Sequence, residues 1–416
     1  MNKNLVVNPF LKLESIVEPD ALIVLSVPNP DDGLRRLQIS KFDQPNLHEV
    51  FLDLAQTKFD FLDVERDIDE AERELLFKFG VLLEAENIPQ KVLFECLLDG
   101  VKSEEFDGDI TSLIVNPTFR YEPFDFTKFR SRVHGQHLSP HHPSVWIKQP
   151  LTDIEIGYWF SNQQAETVAK FKAGEKLSVE VKPDFLSKLV ASEILTTPEK
   201  WAKTEKKQSE AIAEAKIKYR EDKYVVLRKI LPDAQMKAMR RYYRQYIDSG
   251  FMPFGDGQVE RRFYQHNEPL ARVIHQNLAK LMSLVIGEEV IPSYVYAASY
   301  IEDAILQPHT DRAQCEFSIS FQIDYLPEQE NKLSPWGLFV WEPDFAEGKP
   351  VAYDSRKFPA ASEEEDKNPK VYLASGDGLV YKGRELIHYR YPLPQGHQST
   401  SLFFHYVAKD FEGGLN

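Results

Sequence analysis

The sequence predicts an α+β fold: a C-terminal jelly roll with flanking helices, preceded by mixed α/β modules. Three observations carry this expectation. Residues 223–416 open with two amphipathic helical patterns and continue as six short segments rich in aromatic and β-branched residues. Helices followed by many short strands pack outside a sandwiched or closed sheet. Residues 1–196 carry a similar succession of helix and strand signals twice. Between these regions, TPEKWAKTEKKQSEAIAEAKIKYREDKYVV is rich in Ala, Glu and Lys and polar on most faces, which suits a solvated connecting helix.

The first module, 1–115, contains EVFLDLAQTKFDFLDV and ERELLFKFGVLLEAENIP; the second, 116–196, contains ETVAKFKAGEKLSVEV and DFLSKLVASEILTTP. Each reads as a helix, a short strand, a second amphipathic helix and a strand opening at Val81-Leu82-Leu83 or Ile194-Leu195. That order suits tandem winged-helix-like modules. Residues 197–222 form the linker helix. In the C-terminal region, 223–416, Met236, Met239, Tyr243 and Ile247 make one helical stripe that stops at Gly250. A second helix carries Leu270, Ile274, Leu278, Leu281 and Val285, with Asn267 as its expected N-cap and His275 in a packing role. The six strand segments are SYVYAASYI, EFSISFQIDYL, GLFVWEP, KVYLASGDGLVYKG, IHYRYPL and STSLFFHYVA. Ser375-Gly376-Asp377-Gly378 reads as a tight turn, and the acidic run from Ser362 to Lys367 as an exposed loop.

The chain has 416 residues, enough for two or three domains with their own cores, and 42% are hydrophobic, as in a globular protein. Its apolar runs are too short to cross a bilayer, and MNKNLVVNPFLKLE lacks the features of a signal peptide, so a cytoplasmic location is expected. Cys96 and Cys315 are the only cysteines and form no recognisable framework, which fits a reducing compartment. A net charge of −15 argues against broad nucleic-acid binding.

The chemistry concentrates near the end of the chain. His309-Thr310-Asp311 follows a strand-like run, and His388 lies in a later one. Alternate residues of an extended segment point to the same side, so His309 and Asp311 can reach one ion. His388 completes a set of two histidines and one carboxylate, which occupies one face of an iron ion and leaves the other open. The region 222–410, through SYIEDAILQPHTDRAQCEFSISFQIDYL and GDGLVYKGRELIHYRYPLPQGHQSTSLFFHYV, resembles the Fe(II)/2-oxoglutarate-dependent dioxygenases, particularly the prolyl-hydroxylase-like branch. The resemblance implies a double-stranded β-helix, a jelly roll of the cupin type. It implies His309, Asp311 and His388 as metal ligands. It also implies oxidative decarboxylation of 2-oxoglutarate to succinate and CO2, coupled through O2 to hydroxylation of an unactivated C–H bond.

The chain departs from that pattern at the co-substrate. Where the family supplies an Arg or Lys for the distal carboxylate, this sequence reads His397, Gln398, Ser399, Thr400. Arg390 shares a strand face with His388 and can grip a carboxylate bidentately. His397 is a weaker substitute, charged only if protonated. Tyr300 matches the family's co-substrate tyrosine, with Tyr294 and Ser401 as further helpers. Arg312 is expected to pair with Glu316, with a position facing the substrate as the alternative.

His134, His137, His141 and His142 crowd into VHGQHLSPHHPSVW, where Gly and Pro indicate a loop and no Cys is near. Half the chain precedes the oxygenase-like region. Tandem modules there look like the recognition elements with which ribosomal-peptide-modifying enzymes hold a leader peptide, and strand edges can capture an extended peptide. The expected substrate is therefore a peptide or protein side chain. The alternatives are a free amino acid or small metabolite, or a degenerate, non-catalytic binding protein.

Overall fold

The computed structural model describes residues 5–17, 22–29, 33–56, 68–87, 92–122, 142–342, 345–346, 349–350 and 357–415. The chain forms two compact units. The first includes Met1–Leu93 and Tyr242–Gly255; the second includes Phe94–Arg130, His137–Arg241 and Asp256–Asn416. No described helix is long and apolar enough to cross a membrane.

The first unit contains one copy of a repeated module. Strand β1 (Leu5–Val7) leads into an antiparallel meander of β2 (Lys12–Val17), β3 (Leu22–Val27) and β4 (Arg35–Ser40). Helices α1 (Pro45–Gln56) and α2 (Glu70–Lys78) follow, and β5 (Leu82–Glu84) returns to pair with β1. Ile23, Leu25, Leu37, Ile39, Leu47 and Leu76 join in one buried core. Alternation along β3 and β4 and the stripe of each helix supply its two sides.

The second unit opens with the same order. Strand β6 (Ile114–Val115) precedes the meander β7 (Arg120–Glu122), β8 (Ser144–Lys148) and β9 (Glu155–Trp159). Helices α3 (Asn162–Val168) and α4 (Pro183–Ala191) come next, and β10 (Leu195–Thr196) pairs with β6. The meander ahead of the helix pair was not expected. The strand expected between the helices lies outside the described residues in the first module; in the second, KLSVEV forms only an isolated bridge at Lys176.

One buried asparagine closes each copy. Asn8 donates from its backbone to Val81 O (2.8 Å) and from Nδ2 to Gly80 O (3.1 Å), while its Oδ1 accepts from Phe10 N (3.0 Å). Asn116 does the same with Ile194 O (2.9 Å), Glu193 O (2.9 Å) and Thr118 N (2.9 Å). Both lie in a Val-Asn-Pro sequence. Asn116→Ala leaves the Glu193 carbonyl without its donor, so a loss of about 2 kcal/mol of stability is expected in denaturant unfolding. Asn116→Asp, which cannot donate from the same position, is expected to lose as much.

Strand β9 lies at the edge of its sheet; at its end Trp159 N donates to Cys96 O (2.9 Å), and the rest of that edge is met by side chains. Asn277 Oδ1 accepts from Glu155 N (2.8 Å), Asn277 Nδ2 donates to Glu155 O (2.9 Å), and Gln235 Nε2 donates to Gly157 O (2.5 Å).

Helix α5 (Pro198–Asp222) is the expected charged helix, capped by Thr197 Oγ1 and ended by Lys223 in the left-handed region. Then come β11 (Tyr224–Leu227), α6 (Asp233–Asp248), β12 (Arg262–His266) and α7 (Pro269–Ile286). The α7 cap differs from expectation. Glu268, not Asn267, is the N-cap, accepting from Leu270 N (3.1 Å) and Ala271 N (2.8 Å). Asn267 sits at φ 52 and instead accepts from Val295 N at 3.2 Å. A carboxylate at the helix start also complements the helix dipole.

The remaining strands are β13 (Val290–Ile301), β14 (Leu306–His309), β15 (Phe317–Leu326), β16 (Leu338–Trp341), a small hairpin of β17 (Phe345–Ala346) and β18 (Lys349–Pro350), β19 (Lys370–Val371), β20 (Gly378–Lys382), β21 (Ile387–Arg390) and β22 (Gln398–Ala408). They build two antiparallel sheets, ordered β11-β20-β15-β22-β13-β12 and β14-β21-β16-β19. Ala298, Tyr300, Leu379 and Tyr381 from the first and Leu306, Leu338 and Val340 from the second share one core, so the sheets face each other as a jelly roll. The acidic stretch is less free than expected: the Asp366 carboxylate accepts from Tyr389 OH (2.7 Å) and Tyr391 OH (3.0 Å) of the smaller sheet's outer face.

Candidate metal centre

Strand β14 ends at His309, directly opposite His388 of β21 in the ladder. The two rings face each other with centroids 4.3 Å apart. Each histidine directs its Nδ1 to the backbone carbonyl two residues earlier: His309 to Gln307 O at 2.7 Å and His388 to Leu386 O at 3.1 Å. A carbonyl only accepts, so both Nδ1 atoms carry the proton and both Nε2 atoms present a lone pair. Those Nε2 atoms lie 3.9 Å and 3.5 Å from Asp311 Oδ1. The three ligand atoms thus converge as one potential metal-binding set. Two imidazole nitrogens and one carboxylate oxygen are a donor set that suits a divalent cation.

Burial, reinforced by the neighbouring His388, pulls His309 down to about 4. Burial by itself would raise Asp311, but His388 beside it carries the carboxyl down to about 2. Ser318 Oγ donates to Asp311 Oδ2 (3.0 Å), and the Asp311 backbone donates to Gly383 O (2.8 Å). Gly383 has no alternative: a Cβ there would collide with Asp311 Oδ2 and the Cys315 carbonyl.

The centre opens on a cavity of about 460 Å³. Tyr294, Tyr296, Tyr300, Phe403, Arg262 and Arg312 are among its walls. Arg262 was not singled out in the sequence. Pairing of β12 with β13 sets it opposite Tyr300, to whose hydroxyl its Nη1 donates at 2.9 Å. Asp256 Oδ2 already holds it through Nε (2.7 Å) and Nη2 (2.6 Å), and also accepts from Tyr296 OH.

Arg390 lies across the ladder from Leu306, which lines the cavity, while Arg390 itself is not among the lining residues. Its guanidinium is buried, 4.4 Å over the Trp336 ring, with Nη1 donating to Trp336 O at 2.8 Å. No carboxylate pairs with it among the described residues. Burial without a counter-ion pulls it down to about 10, against weaker opposing influences from Tyr300, Tyr381 and Tyr325.

Of the other expected residues, His397 is engaged elsewhere, with its Nδ1 2.8 Å from Tyr325 OH. Ser401 Oγ is 3.5 Å from Gln322 Oε1. Arg312 does not pair with Glu316. Its Nε donates to Tyr294 OH (3.1 Å) and its guanidinium stacks 4.4 Å over that ring, while Glu316 accepts from Ala408 N (3.2 Å). His275 packs as expected, donating from Nε2 to His405 O at 2.7 Å. Of the four clustered histidines, His134, His137 and His141 lie outside the described residues.

No protein-family model matches the chain, and no curated protein matches it. Solved structures are similar over about half of it. A Pseudomonas putida prolyl-4-hydroxylase is 14% identical, covering 48% of this chain and 99% of its own, with a TM-score of 0.34. HygX from Streptomyces hygroscopicus, with nickel, 2-oxoglutarate and hygromycin B bound, is 12% identical over 48% and 88%, with a TM-score of 0.37. A prolyl hydroxylase from Trichoplax adhaerens, in complex with a hypoxia inducible factor peptide fragment, is 9% identical over 49% and 92%, with a TM-score of 0.37. The structural neighbours are thus Fe(II)/2-oxoglutarate oxygenases, prolyl hydroxylases among them.

Proposed function

We propose that the chain is an Fe(II)- and 2-oxoglutarate-dependent oxygenase that hydroxylates an unactivated C–H bond of a peptide or protein side chain, releasing succinate and CO2. The observation that carries this reading is the convergence of His309 Nε2, His388 Nε2 and Asp311 Oδ1 at the wall of a cavity. Two histidines and a carboxylate with open positions suit non-haem Fe(II). Bound there with 2-oxoglutarate and O2, the metal supplies the oxidising power that no side chain has.

The chain's own groups hold and orient. The carbonyls of Gln307 and Leu386 fix both imidazole tautomers, and Ser318 fixes the Asp311 carboxylate. Arg390 is the group that would receive the distal carboxylate of 2-oxoglutarate, a buried cation with no carboxylate partner among the described residues, and Tyr300 lines the cavity as a hydrogen-bonding wall. Aromatic side chains limit water around the reacting carbon.

The peptide substrate is supported by the duplicated N-terminal modules, read as winged-helix-like recognition elements in the domain order 1–115, 116–196, linker 197–222 and oxygenase 223–416. A cavity of about 460 Å³ is also within the range for small-molecule sites, which favours a free amino acid or metabolite as the second reading.

The test is an assay of the full-length protein with Fe(II), 2-oxoglutarate and short peptides encoded beside its gene. Succinate and a peptide heavier by one oxygen atom are expected. No succinate under any of these conditions would overturn the oxygenase reading. Oxidation of a free amino acid but of no peptide would overturn the peptide one.

A further inference from the structure

Asp311 has two carboxylate oxygens, and they face different groups. Oδ1 is the one near His309 and His388. Oδ2 accepts from Ser318 Oγ at 3.0 Å. Cys315 and His405, both buried, stand beside this carboxylate, and a ligand atom from each of Asp311, Cys315 and His405 lies within 4.8 Å of the others.

The protons can be assigned. An ionised Asp311 only accepts, so the single Ser318 proton goes to Oδ2. His405 Nδ1 lies 2.9 Å from the same Ser318 Oγ and must therefore be the donor in that bond. Its Nε2 keeps the lone pair, and no described group hydrogen-bonds to it. His405 lines the cavity together with Asp311 and Cys315. Tyr294 OH, 2.9 Å from Cys315 Sγ, already accepts from Arg312 Nε at 3.1 Å, which leaves the tyrosine proton free to reach the sulfur. Burial and the Asp311 carboxylate push the Cys315 thiol up to about 12 against the Tyr294 and Arg312 contacts, so the metal-free protein holds it as the thiol and a bound cation would displace its proton.

We propose that Asp311, Cys315 and His405 form a second metal site, for a divalent ion of the zinc class. Sulfur, nitrogen and carboxylate oxygen together suit Zn(II) and its spectroscopic substitute Co(II). Binding places a metal–sulfur bond where the S–H bond was, and the thiol proton leaves to solvent. Asp311 would then be shared between the two sites, as carboxylates in two-metal sites are. Ser318 keeps the His405 ring oriented from its other nitrogen, as hydrogen-bond partners of ligating histidines do. The proposal shares Asp311 with the oxygenase reading and otherwise stands apart from it.

The experiment is anaerobic titration of the full-length apoprotein with Co(II), read by bound metal per chain and by the near-ultraviolet thiolate-to-cobalt charge-transfer band. Two Co(II) per chain and the band are expected. Cys315→Ser is expected to abolish the band and retain one Co(II), and His309→Ala to keep the band. One Co(II) per chain without the band in the parent protein overturns the proposal. So does a band that persists in Cys315→Ser, since Cys96 is the only other cysteine. Absence of succinate with the band present would count against the oxygenase reading alone.

Discussion

His309→Ala is expected to reduce Fe(II)-dependent succinate formation by more than about 100-fold, exceeding what changes around a metal's ligands alone produce. Asp311→Ala should do the same. The reason is geometric. Each supplies one of three atoms that meet at a single point, and two remaining donors cannot hold a labile ferrous ion at working concentration. Stability should move little in His309→Ala, whose ring is partly open to the cavity. Measuring iron binding beside succinate, with circular dichroism as the folding control, checks the result. Full turnover by His309→Ala would remove this triad from the chemistry.

Arg390→Met gives the second large effect, with an unusual sign pattern. The concentration of 2-oxoglutarate needed for half-maximal turnover is expected to rise about 10- to 100-fold, the equivalent of one charged hydrogen-bonding partner. The ligand-free protein should be as stable as the parent or more so. An uncompensated buried charge is costly, and an apolar side chain of similar volume relieves that cost. Stabilisation by added 2-oxoglutarate, read as a shift in melting temperature, should shrink in parallel. An unchanged 2-oxoglutarate requirement would transfer the role to Arg262, which would first have to release Asp256.

The sequence displayed the parts of the site that lie along one strand. His309 and Asp311 are legible because a period of two puts them on one side, and His388 because the strand run around it is unmistakable. The helical stripes of α6 and α7 were legible for the same kind of reason. What stayed hidden depends on which strands become neighbours. Ser318 meets His405 because β15 and β22 pair in a register that sets them opposite each other, and Arg262 meets Tyr300 through β12 and β13. Nothing in a linear pattern states a register between strands separated by tens of residues. The three-stranded meanders were missed because their strands are short and the helix pairs after them dominate the periodicity. The clearest sign of duplication, Val-Asn-Pro at both starts, is only three residues long. Its meaning emerges when Asn8 and Asn116 are seen making the same bonds.

The way β9 is held carries a warning about dissecting this protein. Gln235 and Asn277, which occupy its outer edge, come from far along the chain. A fragment ending at residue 196 would lack both. The Glu155 and Gly157 peptide groups of its β9 would then be bare, and Trp146 and Trp159 would lose the wall that α6 and α7 give their shared pocket. Such an edge recruits a strand from the nearest identical molecule. The fragment would self-associate, and any peptide it captured could be an artefact of the cut. The intact chain is the right material for finding what the duplicated modules hold.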